Sequence, residues 1–111
     1  MSRAAGWRAE TLAAWWLRLK GYRILERRHA TPVGEIDLIA RRGRTLAFVE
    51  VKARPDGRTA RHAIAPRQRR RIARAAEAYL KRRPALATCT LRFDAVLIVP
   101  RTRPRHIPNA F

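Results

Sequence analysis

The chain has 111 residues, and its 26 lysines and arginines against 8 aspartates and glutamates give a formal net charge of +18 at pH 7. Its 47% apolar share argues against disorder, and its length suits one domain. The single cysteine, Cys89, excludes an intrachain disulfide and is typical of a reducing, cytoplasmic setting. No 18-residue apolar run occurs, so neither a signal peptide nor a membrane span is expected. The charge indicates a polyanionic partner, nucleic acid first and an anionic membrane surface second.

Residues 7–20 are predicted to form the first helix, which Gly21 ends. Its apolar stripe is predicted to comprise Leu12, Trp15, Trp16 and Leu19, with Ala9, Ala13 and Ala14 filling in. Glu10 falls in the first turn of this helix, where a carboxylate favours the helix dipole. Alternatively, Glu10 points toward the charged face of the hairpin that is predicted at 34–41 and 45–54.

The remaining elements follow from periodicity and from Gly and Pro positions. Strands are predicted at 22–26, 34–41, 45–54 and 91–99, a second helix at 66–83, and polar loops at 27–33 and 55–65. The order is therefore α-β-β-β-α-β, which is an α/β fold with a mixed sheet flanked by helices. Residues 1–99 form one domain, and residues 100–111 are predicted to be an irregular basic tail.

The second and third strands form a hairpin with two distinct faces. If Gly43 and Arg44 are its turn, Asp37 faces Glu50 across the hairpin, and Glu35 faces Lys52 on the same surface. Facing carboxylates repel each other unless a cation lies between them. Lys52 alone could be that cation, and so could a divalent metal ion.

The metal interpretation gives each residue a chemical role. Asp37 and Glu50 would hold Mg²⁺ through carboxylate oxygens, with the backbone carbonyl of Val51 as a further ligand. Lys52 would orient a water molecule or stabilise developing negative charge. The alternative is ordinary, because a Glu-x-Lys pair often forms a simple ion pair on a solvated sheet face.

Residues 34–40 (GEIDLIA) and 48–54 (FVEVKAR) resemble the YraN-like family of uncharacterised bacterial proteins. The likeness extends to Glu10, Ala13, Leu17, Gly21, Tyr22, Ile24 and Leu25, then to residues 75–80 and 92–94. That family resembles the restriction-endonuclease-like superfamily with its PD-(D/E)xK core, and within it the archaeal Holliday-junction resolvases. One departure is that Gln68 and Arg69 stand where a Lys-Gln pair is expected.

The resemblance implies that Asp37, Glu50 and Lys52 are catalytic and that Glu10 is an auxiliary ligand of Mg²⁺, with Mn²⁺ as an alternative ion. It assigns no chemical step to Glu35, and Asp94 is expected to pair with a neighbouring arginine. Basic residues are expected to hold the nucleic-acid backbone. These are Arg54, Arg67, Arg70, Arg71 and Arg74.

Three functional hypotheses follow. The first is a metal-dependent endonuclease that acts on branched or structured DNA, with a homodimer expected because resolvases cut two strands symmetrically. The second is a basic nucleic-acid-binding module that keeps the nuclease fold without turnover. The third is an interaction protein whose carboxylates are merely paired with Lys52 and arginines.

Overall fold

The computed structural model describes residues 3–55 and 66–111, and the side chains of that part from residue 6 onward. Its elements, in chain order, are α1 (Arg3–Leu19), β1 (Arg23–Thr31), β2 (Gly34–Arg42), β3 (Thr45–Ala53), α2 (Pro66–Lys81), a short 3-10 helix (Pro84–Leu86), β4 (Thr90–Ile98) and β5 (Arg105–Ile107). Apart from Pro55, the predicted loop at 55–65 lies outside the described residues.

The five strands form one mixed sheet in the order β1-β2-β3-β4-β5. β3 and β4 are parallel, whereas the other neighbouring pairs are antiparallel. A parallel pair requires a crossover connection, and α2 lies in the segment between β3 and β4. The structure therefore confirms the α/β class with a mixed sheet between two helices.

Two segments predicted to be irregular are strands instead. β1 continues to Thr31 because Arg27, His29 and Ala30 pair with β2, although their polar composition and the following Pro32 indicate a loop. The tail contributes β5, so the element order becomes α-β-β-β-α-β-β. β5 pairs with Ala95, Val96 and Leu97 at the edge of the sheet, where backbone pairing outweighs a composition with no strand signal.

Each face of the sheet carries its own helix and its own core. Strand alternation sends Ala47, Val49 and Val51 into the α1 core, and Leu46 and Phe48 into the α2 core. The predicted stripe of α2 is confirmed. Ile72, Ala76 and Tyr79 are buried together with Ala75, and Leu80 packs half-buried against the same core.

The predicted apolar stripe of α1 is wrong for Leu12, Trp15 and Leu19, whereas its three alanines are buried as predicted. The residues that α1 buries are Ala9, Glu10, Ala13, Ala14 and Leu17. Leu12, Trp15 and Leu19 face outward, with exposed fractions of 52%, 59% and 78%. Alanines on the buried side allow the helix backbone to approach the sheet closely, so the small residues and not the large ones form the packed face.

The predicted register of the hairpin is confirmed. Pairs run from Arg42 with Thr45 to Leu38 with Val49, and Gly43 in the turn adopts a φ of 59° that favours glycine. The ladder between β2 and β3 ends there, one position before Asp37 and Glu50. β3 instead continues alongside β4, with Glu50 paired to Ala95. The two carboxylates therefore lie where β2 and β3 separate.

Candidate functional site

Asp37 and Glu50 form a carboxylate pair at the point where β2 and β3 separate. The backbone N–H of Val51 donates a hydrogen bond to Asp37 Oδ2 at 2.8 Å. Burial, and then the negative charge of Glu50, raises the pKa of Asp37 to about 7. Burial also raises the pKa of Glu50, whose side chain is only 8% exposed. Two desolvated carboxyl groups in mutual contact favour either a shared proton or a bound cation.

Lys52 and Gln68 complete the surroundings of Glu50. Lys52 Nζ lies 3.2 Å from Glu50 Oε1, and Gln68 Nε2 donates to the same oxygen at 2.7 Å. Lys52 Nζ also donates to Gln68 Oε1 at 3.3 Å. Gln68 therefore links α2 to both members of the Glu-x-Lys motif.

The sequence alone predicts no part for Gln68 in the site, where it is only a departure from the family pattern. One signal could have found it. Gln68 precedes the buried Ile72 by four residues, and helical spacing places residues i and i+4 on one face. A polar side chain on the sheet-facing side of a helix needs a partner, and the nearest candidates are on β3.

Glu10 reaches the same region from α1. The helix begins at Arg3, so Glu10 lies well beyond the first turn and the dipole interpretation is wrong. Glu10 is 7% exposed and accepts a hydrogen bond from Arg28 Nε at 2.9 Å. Burial raises its pKa, Arg28 partly offsets this, and the charge of Asp37 raises it further. The structure thus brings Glu10 near Asp37, with Arg28 as its present partner.

A cavity of about 260 Å³ opens beside the carboxylate pair. Its lining residues are Glu35, Asp37, Glu50, Gln68, Arg71 and Ile72. The wall between β2 and α2 depends on Gly34, because a Cβ there would lie 2.5 Å from the carbonyl oxygen of Arg71. Only glycine allows this close approach. The cavity is therefore walled by acidic residues of the hairpin on one side and by α2 on the other.

The donors present suit a hard divalent cation better than a soft one. Within residues 3–55 and 66–111, no three His, Cys, Asp or Glu side chains come together as a set of metal ligands. Mg²⁺ does not need such a set, because it usually binds one or two carboxylates and keeps several waters. Asp37 and Glu50 supply two carboxyl groups whose pKa values are raised, chiefly by burial. This pair is compatible with Mg²⁺ or Mn²⁺.

The arginines expected to contact nucleic acid lie mostly on α2. Arg67, Arg70, Arg71 and Arg74 are exposed along one side of the helix, and Arg71 lines the cavity. Arg54 is half-buried, and its guanidinium donates to the backbone carbonyl of Ala53. α2 therefore presents a basic surface next to the carboxylate pair.

Asp94 belongs to a separate buried cluster. Arg92 donates two hydrogen bonds to it, at 2.8 and 2.7 Å, which confirms the predicted pairing with a neighbouring arginine. His106 Nε2 lies 2.8 Å from Asp94 Oδ2, and the N–H of Asn109 donates at 2.9 Å. Burial alone would raise the pKa of Asp94, but these hydrogen bonds hold it at about 2. The cluster fastens the C-terminal segment to β4.

Fold and site together define a small α/β protein with a mixed five-stranded sheet between two helices and a carboxylate pair beside a basic helix. The sequence profile of the "Uncharacterised protein family UPF0102" matches residues 9–98, and the chain belongs to this family. This finding agrees with the YraN-like resemblance of the sequence.

Curated relatives carry the same family name. The chain is 60% identical to a UPF0102 protein of Parvibaculum lavamentivorans over 106 residues, which cover 96% of this chain and 80% of that protein. It is 59% identical to a UPF0102 protein of Methylorubrum extorquens, with 96% and 83% covered. It is 54% identical to UPF0102 protein amb4503 of Paramagnetospirillum magneticum, with 93% and 83% covered. Among the described residues, no helix is long and apolar enough to cross a membrane.

Proposed function

We propose that this protein is a Mg²⁺-dependent endonuclease that hydrolyses phosphodiester bonds in branched or structured DNA. The observation that carries the proposal is the carboxylate pair of Asp37 and Glu50, with Lys52 Nζ 3.2 Å from Glu50, beside a cavity and a basic helix. Burying two acidic groups together costs stability. Such a cost is common at functional sites, where the buried groups take part in the chemistry. The resemblance to PD-(D/E)xK nucleases, and to the archaeal resolvases among them, adds support.

In this proposal each residue of the site has one task. Asp37 and Glu50 bind the cation, with the Val51 carbonyl as a further oxygen donor and Glu10 as an auxiliary ligand once Arg28 releases it. A bound Mg²⁺ supplies Lewis acidity and lowers the pKa of a coordinated water. Lys52 stabilises the negative charge that grows on the phosphoryl oxygens. Gln68 holds Glu50 and Lys52 in their relative positions.

The basic face of α2 supplies the affinity for the substrate. Arg67, Arg70, Arg71 and Arg74 contact phosphates, and Arg54 assists from the end of β3. With sixteen residues, α2 is about 24 Å long, which corresponds to about seven base pairs of duplex. A branched substrate would place one arm along α2 and its junction at the cavity. Resolution of a junction requires two cuts, so the active form is proposed to be a homodimer in the cytoplasm.

One observation favours a second candidate function, a nucleic-acid-binding module without turnover. Glu50 already accepts hydrogen bonds from Lys52 and Gln68, and Glu10 accepts one from Arg28. These acids are therefore partly neutralised without a metal ion. Asp37 is not satisfied in this way, because its bond from the Val51 N–H leaves its pKa at about 7.

A substrate panel tests the proposal. Purified protein is incubated with a four-way junction, a linear duplex and a single strand, each with Mg²⁺, Mn²⁺ or EDTA. If the protein is the proposed endonuclease, it should cleave the junction with either metal ion and should not cleave it in EDTA. Salt-dependent binding with no cleavage under any of these conditions would support the binding module instead.

A further inference from the structure

Trp7 is an exposed aromatic ring with two arginines beside it. Its side chain lies near the start of α1, and the residue is 51% exposed. The guanidinium carbon of Arg28 lies 4.5 Å from the ring centroid, and that of Arg27 lies 5.0 Å from it. About half of the residue's surface is therefore open to a ligand, next to two positive charges.

The arginines are held in place by residues of α1. Arg27 Nη2 donates to Thr11 Oγ1 at 2.8 Å, and its buried Nε has no hydrogen-bond partner within the described part of the chain. Arg28 has a backbone φ of 51°, in the left-handed region that residues other than glycine rarely adopt. Its ion pair with Glu10 and its contact with Trp7 offset that cost. Arg27 is therefore held beside the indole by Thr11, and Arg28 is held there as long as Glu10 is its partner.

This patch is linked to the carboxylate pair through Glu10. Arg28 contacts the ring of Trp7 and donates a hydrogen bond to Glu10. Asp37 lies close enough to Glu10 for its negative charge to raise the pKa of Glu10, so the last link is electrostatic. Trp15 offers a comparison on the same helix. It is 59% exposed with Arg18 5.2 Å from its ring centroid, but it lies about 12 Å further along α1.

We propose that Trp7, Arg27 and Arg28 form a stacking platform for unpaired nucleotides and guide a single-stranded segment toward the carboxylate pair. An aromatic face flanked by guanidiniums is what single-stranded nucleic acid binds, because bases stack on the ring and phosphates pair with the arginines. Bases inside a duplex are already stacked and cannot use the platform. The occupant is therefore single-stranded nucleic acid, and the favoured substrates carry unpaired nucleotides near a branch.

The part of this inference that concerns cleavage rests on the proposed function, whereas the binding preference does not. The test therefore measures binding in EDTA, where no metal-dependent cleavage occurs. Fluorescence anisotropy is recorded with a labelled single strand and with a duplex of the same sequence. The proteins are the wild type, Trp7→Ala, Trp7→Phe and, as the matched control, Trp15→Ala.

Trp7→Ala is expected to weaken single-strand binding by about 5- to 100-fold and duplex binding by less than about 2-fold. Trp7→Phe should retain most of the single-strand affinity, and Trp15→Ala should leave the ratio of the two affinities unchanged. Equal effects of Trp7→Ala on both substrates, or no effect on either, would overturn the inference. An equal shift of the ratio in Trp15→Ala would overturn it as well.

A second measurement does not depend on the folding of a Trp7 variant. In Trp15→Phe/Trp16→Phe, Trp7 is the remaining indole of the chain's three. Single-stranded DNA should quench its fluorescence, and duplex should not. Absence of quenching by the single strand would contradict the platform. Quenching in a protein that never cuts DNA would keep the platform and reject the endonuclease.

Discussion

The backbone N–H of Val51 donates to Asp37 Oδ2 at 2.8 Å, just beyond the last backbone pair between β2 and β3, which joins Leu38 to Val49. A side chain thus takes the place of a ladder hydrogen bond. The two strands can then separate without leaving the Val51 N–H unpaired, and the cavity opens in the space between β2, β3 and α2. The geometry of the candidate site therefore depends on the hydrogen bond between Asp37 and the Val51 N–H.

The first prediction concerns the charge of Asp37. Its pKa is raised from 3.8 to about 7 in the folded protein, so the folded state binds this proton more tightly than the unfolded state. The resulting destabilisation is absent below about pH 4, grows as the pH rises through this window and is complete above about pH 7. Asp37→Asn keeps an oxygen acceptor for Val51 and removes the charge. In EDTA at pH 8, it should raise the free energy of unfolding by up to about 4 kcal/mol.

Urea unfolding of the wild type and Asp37→Asn at pH 5 and pH 8 measures this effect. Glu77→Gln is the control, because Glu77 is exposed on α2 and should not alter the pH dependence. A variant that remains as pH-dependent as the wild type between these two values would show that Asp37 is ionised normally.

The second prediction concerns Gln68. Its hydrogen bond lowers the pKa of Glu50, and its oxygen accepts from Lys52. Gln68→Ala should therefore reduce junction cleavage at pH 7 by about 10-fold and move the acidic limb of the pH–rate profile to higher pH. Binding of the junction in EDTA serves as the internal reference and should not change. An unaltered pH profile would mean that Gln68 has only a packing role.

The turn and the register of the hairpin can be predicted from the sequence because they depend on residues that are close together in the chain. Glycine at 43 allows the positive φ of the turn, and the turn then sets the register that pairs Leu38 with Val49. The buried face of α2 can be predicted in the same way, since Ile72, Ala76 and Tyr79 recur at the 3.6-residue spacing of a helix and are all buried. The nearness of Asp37 to Glu50 follows directly from that register.

The features that sequence reasoning missed depend on long-range contacts. Gln68 acquires its role only when α2 packs on β3, and His106 only when β5 pairs with β4. On α1, the periodicity indicates apolar positions but does not show which of them pack against the sheet. Tertiary packing selected the alanines and left Trp15 in solvent.

The third prediction concerns stability. Asp94 is fully buried and is bonded by Arg92, His106 and the Asn109 N–H. Asp94→Asn removes the charge that these donors share, and it should lower the free energy of unfolding at pH 7 by about 3 kcal/mol. Glu26→Gln breaks a more exposed ion pair with Arg83 and should cost less than about 1 kcal/mol. Similar costs for the two variants, measured by urea unfolding, would contradict a structural role for the buried cluster.

The fourth prediction concerns the basic face of α2. Arg67→Gln, Arg70→Gln and Arg74→Gln each remove one phosphate contact in this account. Each should reduce the magnitude of the slope of log affinity against log salt concentration by about 1. Arg44→Gln is the matched control, since Arg44 is exposed in the hairpin turn, about 20 Å from Asp37 along the strands. If Arg44→Gln changes the slope as much as the α2 variants do, binding follows net charge and not the α2 surface.

The most direct test separates cleavage from binding at the carboxylate pair. Junction cleavage in Mg²⁺ and junction binding in EDTA are measured for the wild type, Asp37→Asn and Glu50→Gln, with Glu77→Gln as a control. The two site variants should lose cleavage by at least about 100-fold. They should bind the junction as tightly as the wild type or more tightly, because they lose negative charge near the phosphates. Cleavage that survives in both variants, or a wild type that binds the junction and never cuts it, would show that the carboxylate pair is not a nuclease site.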